Sequence, residues 1–189
     1  FIAAIIARLP DARENLAAYG VAFAFGLILE SPAVMLLSAA TVLAENRDSY
    51  LTLRRFGYGL CGLLTVVVVV VVFPPVFNWI AGSLLHLPNE IRPLTHAALV
   101  FLLPWPAAIG YRRFKQGLLI RHGLTRHVAY GAMFRLTAMA ATAGILVLFT
   151  SMPGASVGTF ALSAGVIVEA IISGRMARRA VRALESGLA

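Results

Sequence analysis

FGYGLCGLLTVVVVVVVFPPVFNWI (Phe56–Ile80) holds seven consecutive valines, Val66 to Val72, and no charged side chain. In water a β-branched run of this kind favours a strand. In a bilayer the backbone has no water to bond, so each N–H and C=O must be satisfied within the segment, and a helix does that. A helix needs about 20 apolar residues to cross the hydrocarbon core, and this stretch supplies them. Phe73-Pro74-Pro75 then bends or ends it, because a proline cannot donate to the turn behind it. The choice between strand and helix is thus a choice between water and lipid.

Composition makes that choice. The chain is 60% hydrophobic and 13% charged, whereas a soluble domain carries about a quarter charged residues. Mean hydropathy is +0.86, and the other apolar runs are also too long for core helices. The fold class is all-α, a polytopic helical membrane protein. Lys and Arg number 16 against 8 Asp and Glu. They fall between apolar spans, so they point to orientation in the bilayer before they point to nucleic acid. Cys61, the lone cysteine, lies in an apolar run and implies neither a disulfide nor a cysteine metal site.

Working outward, FIAAIIA (Phe1–Ala7) has no charged flank and no small-residue cleavage site. It reads as the tail of a transmembrane helix, not a signal peptide, and the chain as part of a longer one. LPDARENLA (Leu9–Ala17) is a polar turn. Further spans are expected over 16–43, 56–80, 94–120, 128–149 and 157–173, with a basic tail at 174–189. This amounts to about five full transmembrane helices plus the end of one more, in a single lobe over 1–189. HLPNEIRP (His86–Pro93) and SMPGAS (Ser151–Ser156) are turns.

Arginine placement tests this threading. The segments 44–55, 112–127 and 174–189 hold Arg47, Arg54, Arg55, Arg112, Arg113, Lys115, Arg121, Arg126, Arg175, Arg178, Arg179 and Arg182; the opposite side holds Arg8, Arg13 and Arg92. Twelve against three is a positive-inside bias that puts the Arg-rich loops in the cytoplasm. The expected location is a bacterial-type cytoplasmic (inner) membrane. Arginine clusters there also suit anionic lipid headgroups.

Gly57-Tyr-Gly-Leu-Cys-Gly62 matches a dinucleotide fingerprint in letters only, since no strand precedes it. Its glycines, like Gly154 and Gly158, read as sites of close helix approach. His86, His96, His122 and His127 show no metal-ligand spacing on one helix face. No nucleophile elbow and no zinc-protease motif is present, and Asp11 and Asp48 lie in expected loops. The reading is therefore not an enzyme, with no catalytic residue, metal or cofactor.

The informative residues are charges inside spans. In LILESPAVMLL (Leu27–Leu37), Glu30 sits near the middle of its span beside Pro32. On a helical wheel Tyr19, Gly26 and Thr41 fall within about 40° of Glu30 and Ser38 about 80° away. Val21, Phe25, Ile28, Met35 and Leu43 gather opposite. Pro32 cannot donate to the Ile28 carbonyl, so a kink is expected there, with Ser31, water or an ion meeting the freed oxygen. Arg135 lies near the middle of the fourth span, on a face with Gly131 and Thr142. Each such charge costs about 2.5–3.5 kcal/mol at a helix centre, so pairing or hydration is expected; a Glu30–Arg135 ion pair would provide it. Glu169, beside the basic tail, reads as local charge balance. Arg112 and Arg113 would sit at a cavity mouth and, with Arg135, suit a carboxylate or phosphate. The expected cavity residues are Glu30, Ser31, Pro32, Ser38, Thr41, Arg112, Arg113 and Arg135.

ESPAVMLLSAATVLAENRDSY (Glu30–Tyr50) and LPWPAAIGYRRFKQGLLIRHGLTR (Leu103–Arg126) resemble bacterial proteins of the multidrug and toxic compound extrusion (MATE) type. Within that group they look most like relatives of the progressive ankylosis protein. The span order, and Phe114-x-Gln-Gly117 followed by His122-Gly-x-Thr125, also resemble the wider flippase and exporter superfamily. The resemblance implies two six-helix lobes around a central cavity and alternating access coupled to a proton or sodium gradient. This chain would be most of the N-terminal lobe. In many relatives the coupling acid lies on the first helix, so the resemblance does not carry that role onto Glu30.

The expectation is a secondary-active, antiporter-like exporter of small organic or phosphate-type anions. Its partners would be the lipid bilayer, a small-molecule substrate and the C-terminal lobe, with no nucleic acid. Alternatives are efflux of drugs or organic cations by the same fold, a lipid-linked flippase, and a non-transporting membrane scaffold.

Overall fold

The computed structural model describes residues 1–185, so 186–189 of the expected basic tail lie outside the described residues. Those residues form α1 (Ile2–Ile6), α2 (Ala12–Val34), α3 (Leu36–Leu43), α4 (Arg47–Val72), α5 (Pro74–Trp79), a π-helical turn (Ile80–Leu84), α6 (Ile91–Val100), α7 (Trp105–Arg121), α8 (Thr125–Phe149), α9 (Gly154–Met176) and α10 (Arg178–Glu185). Ala12–Leu43, α4, α8 and α9 are each long and apolar enough to cross a membrane, and the bent pair α6 and α7 meets the same criterion when taken as one span, which gives four to five crossings. The chain is all-α, and its several apolar helices fit a membrane-embedded protein.

The valine run is helical. Val68 is buried while Val66, Val69 and Val70 face outward, as a helix laid against a bundle with its other face to lipid requires. Phe73 leaves helical geometry and Pro74 takes the first position of α5, where its missing N–H costs nothing. The expected end of the span at Ile80 is therefore corrected to Val72. Its start is corrected too: the Asn46 side chain accepts from Ser49 N at 2.9 Å and caps α4 at Arg47. Arg47, Arg54 and Arg55 thus ride on a helix, not in a 44–55 loop.

Pro32 does not end its helix. α2 runs through it to Val34 and is interrupted only at Met35. Ser31 Oγ donates to the Ile28 carbonyl at 2.9 Å, replacing the bond that Pro32 cannot make. The third span is likewise one expected helix that is broken in two. Pro104 cannot donate to Val100, and Leu102, Leu103 and Trp105 close i→i+3 bonds instead. α6 and α7 meet at 45°. Ser163 Oγ, from α9, donates to the Phe101 carbonyl at 2.6 Å and satisfies backbone exposed by the break.

Of Ala12–Leu43, α4, α8 and α9, α9 is the most enclosed and α8 the least. Small residues let neighbours close on α9. A Cβ at Gly158 would lie 2.9 Å from Ile6 and Tyr19, one at Gly165 would meet Met139 and the Arg135 carbonyl, and one at Gly174 would meet the Tyr111 ring. Of the glycines at 57–62, Gly57 alone has such a neighbour, Leu36; Gly59 and Gly62 have nothing within 4 Å, so close approach does not explain them. At the start of α9 the buried Asn15 side chain accepts from Ala155 N at 3.0 Å and donates to the Pro10 and Asp11 carbonyls. At the other end of the bundle Arg121 donates to the Thr41 and Val42 carbonyls, both at 3.0 Å, where α3 ends. Tyr50, Phe114 and Leu184 share one apolar cluster there. The ends carrying 44–55, 112–127 and 174–185 are thus neighbours.

Candidate functional site

α7 is continuous to Arg121, so Arg112, Arg113 and Lys115 are helix residues, in line with the expected span 94–120. Arg112 and Gln116 are four residues apart and share a face. Both turn toward α9 and are buried. There they meet Glu169, which is 2% exposed. Arg112 donates to Glu169 Oε2, and Gln116 Nε2 donates to Oε1 at 2.9 Å. Each carboxylate oxygen thus has a donor, which is what a buried acid requires.

Arg135 approaches the same acid from α8. Its Nε stands 3.5 Å from Glu169 Oε2, and its side chain is 35% exposed. That separation gives Coulombic attraction without a hydrogen bond, and the Arg135 Nε has no bonding partner. The register follows from spacing: Gly131, Arg135 and Met139 form one seam of α8, and Gly165, Glu169 and Ser173 the facing seam of α9. Gly131 leaves room for Glu169 and Ser173, and Gly165 admits Met139.

Glu30 stands elsewhere. Its Oε2 accepts from Trp105 Nε1 at 2.5 Å. Trp105 is the first residue of α7, so the Pro104 break is what aims the indole at α2. The expected Glu30–Arg135 pair does not form, because Arg135 is held by Glu169 and Glu30 by Trp105. The two acids still belong to one charged region. Half-buried Arg113 lies in the field of Arg112, Glu30, Glu169 and Arg135. The region thus holds three guanidiniums and two carboxylates, one positive charge in excess; Arg112 and Arg135 meet Glu169, and Glu30 is bonded to Trp105 instead of a guanidinium. The Nε atoms of Arg112 and Arg113 and the Ser173 hydroxyl are buried without a hydrogen-bond partner.

The other expected cavity residues scatter. Ser31, Pro32 and Ser38 are exposed, and Thr41 donates to the Leu37 carbonyl at 2.8 Å. Within the stripe Gly26 is buried, and Ile28, Met35 and Leu43 opposite are exposed; Phe25, expected on the lipid side, packs partly into the core. Glu169 was taken for a partner of the basic tail and is instead the centre of the cluster. The signal that could have found it is the four-residue repeat Gly165, Glu169, Ser173, which matches Gly131 and Arg135. Among the described residues no three His, Cys, Asp or Glu side chains gather as a metal-ligand set. Comparison with family models, with curated proteins and with solved structures finds no match to this chain.

Proposed function

We propose that this chain is one lobe of a secondary-active exporter that moves small organic or phosphate-type anions by alternating access, coupled to a proton or sodium gradient. The observation that carries the reading is the net positive group Arg112, Arg113 and Arg135 around Glu169 and Glu30, within segments apolar enough to lie in a membrane. Charges there are costly and mark pathways more often than packing. Arg112 is fixed by Glu169, while Arg135 is partly exposed and held only at 3.5 Å. An anion offering two oxygens can take the Arg135 fork while Glu169 keeps Arg112 and Gln116. In this scheme Arg135 and Arg113 contact substrate and Glu169 sets their positions. The positive-inside bias supports a cytoplasmic Arg-rich end, and a second lobe across the cavity is what the MATE resemblance implies.

Uptake of radiolabelled citrate or pyrophosphate into vesicles carrying the full-length protein tests this. Gradient-driven anion flux that falls at least tenfold in Arg135→Gln is expected. A second reading, efflux of organic cations, is favoured by Glu30 beside the Trp105 indole, a carboxylate and an aromatic face that suit a cation. Cation flux that survives Arg135→Gln and is lost in Glu30→Gln selects it. A membrane scaffold predicts no flux of either kind.

A further inference from the structure

Where α8 meets α9, Gly131 faces Glu169 and Ser173 across a small hollow. A Cβ at Gly131 would lie 3.5 Å from Ser173 Oγ, 3.5 Å from Glu169 Cγ and 3.7 Å from Glu169 Oε1. Those are ordinary contact distances, so the hollow has room for a group the size of a methyl. Ser173 is 1% exposed, and its hydroxyl has no hydrogen-bond partner among the described residues. Glu169 is equally enclosed. Its Oε1 accepts from Gln116 Nε2, which uses one of the two lone pairs of that oxygen. A buried hydroxyl left unpaired is costly and uncommon. Here an unpaired hydroxyl and a half-used carboxylate oxygen border the same space.

We propose that this hollow binds one water molecule, which accepts from the Ser173 hydroxyl and donates to Glu169 Oε1. A buried water needs a polar site, room for one molecule and at least two polar partners, and the hollow offers each. A cation suits it less, because Arg112 and Arg135 already bring positive charge to the same carboxylate. Steric room alone would admit alanine at 131, so close helix approach does not account for this glycine, whereas a bound water does. Ser173 is then a positioning residue: through the water it holds Glu169 in place beside Arg112 and Gln116. The proposal does not depend on the exporter reading, because it concerns only how the buried acid is held.

The test is thermal unfolding of the full-length protein in detergent, with Gly131→Ala, Ser173→Ala and the two combined. Alanine at 131 puts a methyl where the water sits and strands the Ser173 hydroxyl. Tm is expected to fall by roughly 2–6 °C, although the change meets no clash and raises helix propensity. Ser173→Ala is expected to lower Tm in the parent, where the hydroxyl binds the water. It should raise Tm in the Gly131→Ala background, where the hydroxyl is stranded. A dry hollow predicts that both single variants melt at or above the parent, since one fills space and the other removes an unpaired hydroxyl; that result overturns the proposal. An equal loss from Ser173→Ala in both backgrounds also overturns it, because the hydroxyl then acts without the hollow. A parent Tm that rises in sodium over choline, with the rise absent in Ser173→Ala, gives the hollow to a cation and overturns the water. Should Gly131→Ala not fold, a Tm above the parent in Ser173→Ala alone overturns the proposal.

Discussion

Arg112 and Glu169 form a buried ion pair across 57 residues of chain, joining α7 to α9 inside the bundle. Both side chains are almost wholly enclosed. Removing one partner strands the other charge, which costs about 3–5 kcal/mol in buried pairs. Glu169→Ala should therefore lower thermal stability strongly in detergent. Replacing both, as Arg112→Met with Glu169→Met, should cost less than the two single changes together, because no Arg112 charge is stranded. Simple additivity in unfolding measurements would show that the pair is not coupled.

Arg135 should behave differently. Its side chain is 35% exposed and has no hydrogen bond to Glu169. Water or headgroups screen much of its attraction, so Arg135→Gln should move Tm little. The same change should reduce anion flux at least tenfold, and Arg135→Lys should restore it only in part, because an ammonium lacks the planar fork. A large loss of stability with normal flux would assign Arg135 to packing.

The helices were legible because lipid imposes one rule on the backbone: Val66–Val72 had to be helical once the composition excluded water. Four crossings followed from apolar run length, and the fifth expected one corresponds to the bent pair α6 and α7. Breaks were less legible. Pro32 is passed over because Ser31 rescues its carbonyl, whereas Pro104 breaks the third span, where Ser163 from a distant helix satisfies the backbone. A sequence shows the proline but not the tertiary donor. Charge pairing was the least legible. Glu30 and Arg135 stood out as isolated charges and Glu169 read as charge balance for the basic tail, yet partner choice depends on which helix faces align, and the small-residue seams at Gly131 and Gly165 fix that alignment.

Trp105 offers a mild test at Glu30. Trp105→Phe keeps an aromatic ring, though a smaller one, and removes the N–H that Glu30 accepts. Hydrogen bonds to charged groups contribute about 1.5–3 kcal/mol, and Glu30 is only half-buried, so water can replace part of it. A loss of roughly 1 kcal/mol in unfolding free energy is expected. No change would mean that the indole merely packs near the acid. Glu30→Gln in the wild-type background separates stability from flux, since an amide oxygen still accepts from the indole.

Two glycines of similar helical setting should respond in opposite directions. Gly117 lies on α7 where α3 crosses: an added Cβ would fall 2.6 Å from Ala40 Cβ and still closer to the Leu37 carbonyl. Those neighbours are backbone and a short side chain, with no flexible end to swing aside. Gly117→Ala should force α3 and α7 apart and destabilise by about 1–3 kcal/mol. It should also lengthen the path from Arg121 to the Thr41 and Val42 carbonyls, which depends on the same contact. Gly59, on α4, has nothing within 4 Å of its added Cβ. Alanine there meets no obstacle and gains helix propensity of up to about 1 kcal/mol. Gly59→Ala should therefore unfold at the same temperature as the parent or higher, and Gly117→Ala well below it. Equal melting of the two variants would refute the close α3–α7 crossing.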